Sequence, residues 1–154
     1  MGNTASLDAA GESQLTGLAA AAYQGDEGRA KRLIRKKAKV NGTDKNGRTP
    51  LHWACTRGHL GMVRLLQTHG ARMDVEDWVD GSTPLNNAVH SGSVPTVEYL
   101  LERGAPVNKV DTQARSALHF AAHGGDVEMG KLLVSHRADL DPVDKQGRTP
   151  LHWA

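Results

Sequence analysis

The phrase DKNGRTPLHWA, Asp44 to Ala54, returns as DKQGRTPLHWA from Asp144 to Ala154 with one letter changed. Smaller steps fill the interval. Thr83-Pro84-Leu85 lies 34 residues after Thr49-Pro50-Leu51, Ser116-Ala117-Leu118 lies 33 beyond that, and Thr149-Pro150-Leu151 another 33. One step of 33 backwards reaches Thr16-Gly17-Leu18. Gly25, Gly58, Gly92 and Gly125 each follow the leucine by seven positions, and the units close on related phrases, KAKVN, GARMD, GAPVN and RADLD. A period in this range marks an array of small units, each unable to bury its apolar face except against its neighbours.

The unit is readable in physical terms. Asp44-Lys45-Asn46-Gly47 is a turn, because Asn-Gly tolerates the positive φ that a tight reversal needs. Thr49 suits an N-cap and Pro50 the first helical position, where its missing N–H costs nothing. Leu51, Ala54 and Cys55 then form one apolar stripe on a short helix ending near Gly58. Met62, Val63, Leu65 and Leu66 mark a second helix that stops at Gly70. Neither reaches the roughly 12–15 residues an isolated helix requires, so the pairs must stack.

This pattern, T-P-L-H-x-A in a unit of about 33 residues, resembles the ankyrin repeat. The resemblance covers about Leu15 to Ala154, with units at 15–43, 44–76, 77–110 and 111–143 and a partial unit at 144–154, behind a flexible leader at 1–14. It implies an all-α solenoid of stacked helix-turn-helix units, with β-hairpin finger loops projecting beside a concave groove. It also implies a protein partner, bound through fingers and groove, and no catalytic residues.

Carried onto this chain, the finger positions are Lys45, Asn46 and Arg48 in the second unit, Trp78, Val79 and Ser82 in the third, and Thr112, Gln113 and Arg115 in the fourth. Groove positions are Thr56, Arg57, His90, Ser91 and His123. Trp78, in a finger one residue longer than the others, reads either as an interface anchor or as a lid on the adjoining finger. Trp53 reads as packing against the next unit. Arg48, Arg115 and Arg148, with Lys45, Lys145 and Arg57, make a basic row that favours an acidic partner surface.

Several departures carry expectations. Asn86 stands where His is usual, Ala114 replaces a turn glycine, and Gly130 stands where Val63 and Val97 do, which makes the fourth unit's second helix the weakest. Lys37 and Arg137 replace the glycines at Gly70 and Gly104, so those two helix ends are expected to be looser. Leu151 and Trp153 sit in the partial unit and are expected to be exposed.

Function classes are narrowed by what the chain carries. The eight histidines invite a metal reading, but His52, His119 and His152 recur once per unit and do not converge as zinc ligands must. In the resembled family this histidine bonds to loop backbone and ties neighbours together. Cys55, the only cysteine, occupies a small core position and allows no internal disulfide. No phosphate loop, HExxH or CxxC appears. The expectation is therefore a non-enzymatic scaffold with no metal, cofactor or small-molecule substrate, and no nucleic-acid partner at a net charge of +2. The second reading is an N-terminal regulatory or targeting part of a larger enzyme or membrane protein, since the repeat stops inside a first helix.

The N-terminus adds one further expectation. MGNTAS matches the N-myristoylation pattern with Gly2 as acceptor. Seven of the eleven residues from Arg29 to Lys39 are basic, and Arg29, Lys31, Arg32, Arg35 and Lys36 fall on the outer face of a cap helix. A lipid plus a basic patch is a recognised two-signal membrane attachment. The competing readings are a solvated cap helix and a nuclear-localisation run, so the expected place is cytoplasmic, with membrane contact or the nucleus as alternatives.

Overall fold

A computed structural model describes residues 17–154, and among these the chain forms nine helices and no strand. They alternate in length and position. The inner helices are α1 (Gly17–Gln24), α3 (Pro50–Thr56), α5 (Pro84–His90), α7 (Ala117–His123) and α9 (Pro150–Trp153). The outer helices are α2 (Glu27–Arg35), α4 (Leu60–Thr68), α6 (Val94–Glu102) and α8 (Val127–Ser135). Inner helices pack extensively on one another along the stack, whereas outer helices touch their neighbours more sparsely. A row that packs closely on one side and splays on the other must curve, with the inner helices on the concave side.

The caps explain why such short helices form. Thr49, Thr83 and Ser116 adopt extended backbone and accept the N–H of the residue three further on, as N-caps do. Proline occupies the first helical turn of α3, α5 and α9, as the sequence predicts. Within each pair, a glycine at positive φ (Gly58, +64°) turns the chain from inner to outer helix. The core is aliphatic: Leu51, Met62, Val63, Leu66, Leu85, Val97, Leu100, Met129 and Leu133 are fully buried. Each such side chain contributes about 1.5–3 kcal/mol of transfer free energy.

Two expectations need correction. The helix ends at Lys37 and Arg137 are not open: both residues adopt the left-handed conformation (φ 62° and 67°) that Gly70 and Gly104 hold. Ala38 N–H donates to Leu33 O at 3.0 Å and Ala138 N–H to Leu133 O at 3.1 Å, matching Ala71 to Leu66 at 3.0 Å. The substitution stores backbone strain of about 1–2 kcal/mol instead of opening the turn. Trp153 is half-buried, edge-on to His119, Phe120 and His123, while Leu151 does lie exposed. The projecting finger loops are hydrogen-bonded reversals: Asp44 N–H meets Arg48 O at 3.0 Å, and Gly47 N–H meets Asp44 O at 3.0 Å.

Candidate protein-binding groove

Neighbouring fingers are joined by one backbone hydrogen bond each. Trp78 N–H donates to Asn46 O (2.8 Å), Thr112 N–H to Asp80 O (2.8 Å) and Lys145 N–H to Gln113 O (3.0 Å). A second tie comes from the repeat histidines, as the resemblance implies. His52 Nδ1 accepts the Thr49 N–H at 3.0 Å, which leaves Nε2–H to donate to Ser82 O of the next finger at 3.1 Å. His119 does the same between Ser116 N–H and Arg148 O. Only a neutral ring accepts at one nitrogen and donates at the other. Burial favours that form and lowers the His52 pKa below its ordinary value, against hydrogen bonding that works to raise it.

Each finger is organised by an aspartate that the sequence analysis did not single out: Asp44, Asp77, Asp111 and Asp144. Asp44 accepts the N–H groups of Asn46 (2.8 Å) and Arg48 (3.0 Å) on one oxygen and the Trp53 indole N–H (3.0 Å) on the other. Asp144 serves Gln146, Arg148 and Trp153 likewise, and also accepts from the Arg148 guanidinium at 2.9 Å. Burial pushes its carboxyl up, but these donors outweigh that and bring it down to about 2. The signal was available, because the four aspartates recur five or six residues before the N-cap of an inner helix.

The finger arginines are consequently engaged. Arg115 and Arg148 pair with the aspartate of their own finger. Arg48 instead crosses to Asp77 of the next finger at 3.0 Å. Each guanidinium also lies over an aromatic ring of the inner helix, Arg48 on Trp53 at 5.0 Å, Arg115 on Phe120 at 5.1 Å and Arg148 on Trp153 at 5.0 Å. Trp53 packs edge-on against Tyr23 of the preceding unit, centroids 5.6 Å apart.

The predicted contact residues divide by exposure. Trp78 is 71% exposed and Val79 is exposed beside it. Trp78 also lies on the preceding finger, where a Cβ built on Gly47 would fall 2.5 Å from the indole. The anchor and lid readings of this residue therefore describe one conformation. Lys45, Thr112 and Gln113 are exposed, and Asn46 is half-buried. Ser82 is buried and offers its carbonyl to His52. In the groove, Thr56, Arg57, His90, Ser91 and His123 are exposed. Arg57 lies 4.8 Å over the Tyr23 ring, and His90 stands edge-on to Phe120. The outer face carries Lys31, Arg32, Arg35 and Lys36, all exposed, and a half-buried Arg29. Gly2 and the leader lie outside the described residues.

Neither chemical reading of the repeat residues gains support from the geometry. Cys55 is fully buried, and burial pushes its thiol up, away from the thiolate a nucleophile needs. Among the described residues no three His, Cys, Asp or Glu side chains are grouped so as to hold a metal ion. Among them, too, no helix is long and apolar enough to cross a membrane.

Helix pairs stacked through their inner members and tied by a row of fingers define a helical repeat solenoid. The family profile for ankyrin repeats in three copies matches residues 18–111 and 106–154, and the chain belongs to the ankyrin-repeat family. Ankyrin repeats are in general protein-interaction modules. The chain is similar to the mouse ankyrin repeat and SAM domain-containing protein 6, at 44% identity over 68 residues, 44% of this chain and 8% of that protein. It resembles the human palmitoyltransferase ZDHHC13 at 40% identity over 91 residues, 59% of this chain and 15% of the enzyme. The transient receptor potential channel pyrexia of Drosophila melanogaster is 39% identical over 83 residues, 54% of this chain and 9% of the channel. The chain thus spans less than a fifth of the length of these relatives.

Proposed function

We propose that this chain is a non-enzymatic interaction module that binds a protein partner through the concave groove and the finger tips. The observation that carries the reading is Trp78. Its indole is 71% exposed, yet it rests on Gly47 and its backbone N–H is fixed to Asn46. A large aromatic held in place while exposed loses little conformational freedom on binding, which is what an interface anchor needs. Acidic character in the partner now rests on Arg57, because the finger arginines are already paired with carboxylates. Arg48 and Arg115 are poor probes for the same reason, since replacing them disturbs the fingers themselves.

The test uses 12-residue peptides selected from a displayed random library on the full chain, with affinity measured by calorimetry. Trp78→Ala should weaken their binding by about 2 kcal/mol, roughly thirtyfold, with the unfolding midpoint nearly unchanged. Peptides indifferent to Trp78→Ala and Arg57→Glu but abolished by Arg32→Glu and Arg35→Glu would move the binding face to the outer helices and refute the reading.

A second reading is favoured by the relatives, in which the matched segment is a small part of an acyltransferase or a channel. On that reading the stack is a regulatory or targeting segment of a longer protein, in the cytoplasm, with the exposed cations of α2 and an acylated Gly2 holding it at a membrane. Co-sedimentation of protein from a eukaryotic host with vesicles of rising anionic lipid content tests it. Binding indifferent to lipid charge, or an unmodified N-terminus by mass spectrometry, rejects membrane attachment.

A further inference from the structure

The third unit differs from its neighbours at three positions that face one place. In the second, fourth and partial fifth units an arginine precedes the N-cap and lies over a ring at the x position of T-P-L-H-x-A: Arg48 over Trp53, Arg115 over Phe120 and Arg148 over Trp153. The third unit has Ser82 and Asn87 there, and Asn86 in place of the histidine. The stack is missing, and a pocket of about 270 Å3 lies between Arg48 on one side and Arg115 and Phe120 on the other, with Asp80 and His90 also lining it. That is smaller than the ~300–1,000 Å3 of sites for free small molecules, and suits one side chain.

The pocket's polar groups specify its occupant. Among the described residues the carboxamide nitrogens of Asn86 and Asn87 are both buried and without a hydrogen-bond partner, and Asn86 is only 2% exposed. Each such donor costs about 1–3 kcal/mol until an acceptor reaches it. A carboxylate would accept from them but would enter a neighbourhood where Arg48 and Arg115 are already matched by Asp77, Asp80 and Asp111. A guanidinium or ammonium would bring only donors. An aromatic ring would fill the space and leave both amides buried and unserved. A carboxamide is flat and neutral: it would accept from the two amide groups once those side chains turn toward it, donate to the Asp80 carboxylate and pack its methylenes on Phe120.

We propose that this pocket is a recognition site for a glutamine or asparagine side chain of the bound partner. The inference rests on the groove reading above and adds the identity of one contact residue. It is tested with the same selected peptides. Those bound by the natural chain should share Gln or Asn at one fixed position, and replacing it by Glu or Ala should weaken binding about tenfold or more. Addition of peptide should shift the side-chain NH2 signals of Asn86 and Asn87 in 15N-labelled protein. Asn87→Phe, which restores a ring, should abolish the preference. Where that variant fails to fold, Asn87→Asp, an isosteric exchange of donor for acceptor, should redirect selection toward Lys or Arg at that position. Peptides that respond to Trp78→Ala but tolerate Glu, and bind Asn87→Phe and Asn87→Asp equally, would overturn the pocket assignment and leave the groove reading intact. Amide signals that do not move, as when ordered water alone serves both groups, would overturn it equally. Peptides indifferent to Trp78→Ala would remove the groove reading and this inference together.

Discussion

Asp77→Ala should be the most damaging single change in the fingers. The Asp77 side chain is fully buried and accepts three hydrogen bonds, from Val79 N–H (3.1 Å), Asp80 N–H (3.0 Å) and Arg48 Nε–H (3.0 Å). Truncation strands two backbone donors and a mostly buried guanidinium, and losing one partner of such a pair costs about 3–5 kcal/mol. Arg48→Ala strands the carboxylate instead and also removes the Trp53 stack. A double-mutant cycle in urea cancels the stacking contribution and should return a coupling of about 1–3 kcal/mol. Because the pair joins the second finger to the third, the loss should appear as earlier hydrogen exchange at that junction, with Leu18 to Gln24 less affected. The pH dependence has a definite sign. Burial raises the Asp77 pKa, but the donors outweigh it and the net shift is downward from 3.8. A depressed carboxyl stabilises the fold above the ordinary carboxylate range and loses that contribution as pH falls through its folded value. A coupling below about 0.5 kcal/mol at neutral pH would refute the cross-finger role, since distant independent sites add to within that margin.

Gly47→Ala should destabilise through two separable causes, the positive φ of 75° and the contact with Trp78. Urea unfolding of Gly47→Ala with and without Trp78→Ala separates them, and no rescue by the second change would show that the indole does not rest there. Gly130→Ala should stabilise by about 0.5–1 kcal/mol, because it sits inside α8 where a Cβ meets nothing within 4 Å. Destabilisation would mean that the space is filled. His52, buried neutral with a pKa below 6.5, should make stability rise with pH in the window between its folded value and 6.5. The limit is about 1.4 kcal/mol per pH unit, and the slope should fall in His52→Asn; an unchanged slope assigns the effect elsewhere.

The helix pairs, caps and core positions were legible because each is dictated locally: Thr49-Pro50 fixes a helix start, and Leu51, Ala54 and Cys55 fix its buried side. What could not be read was which partners a charged finger residue would choose. Arg48, Arg115 and Arg148 look alike in sequence, yet Arg48 pairs across the fingers, Arg148 within its own finger and Arg115 both ways. The difference depends on a neighbour 29 residues away. The recurring aspartates are legible in principle, but the Asp-x-x-Gly of Asp44 and Asp144 describes a reversal whether or not the carboxylate also holds an indole or a guanidinium. The fate of Trp78 needed the distance between two fingers, which no period supplies.

Conformity to the period and information about the partner run in opposite directions along this stack. A residue that repeats in every unit is accounted for by stacking: the histidine ties, the aspartate hubs and the Arg-on-ring contacts all join the stack to itself. The third unit keeps its aspartate hub at Asp77 but withholds the histidine tie and the Arg-on-ring contact. Ser82 in place of arginine leaves Asp77 to be served by Arg48, and Asn86 leaves the histidine tie unmade. Asn87 leaves a gap between two guanidinium-capped rings, and the added residue carries Trp78 and Val79 into solvent. All of these lie on the finger and groove side, while the buried leucines and valines of the same unit keep to the pattern. A unit that keeps its core still stacks, with two unserved amide donors at Asn86 and Asn87 as the cost of these departures. They are the positions at which substitutions should alter binding before they alter folding.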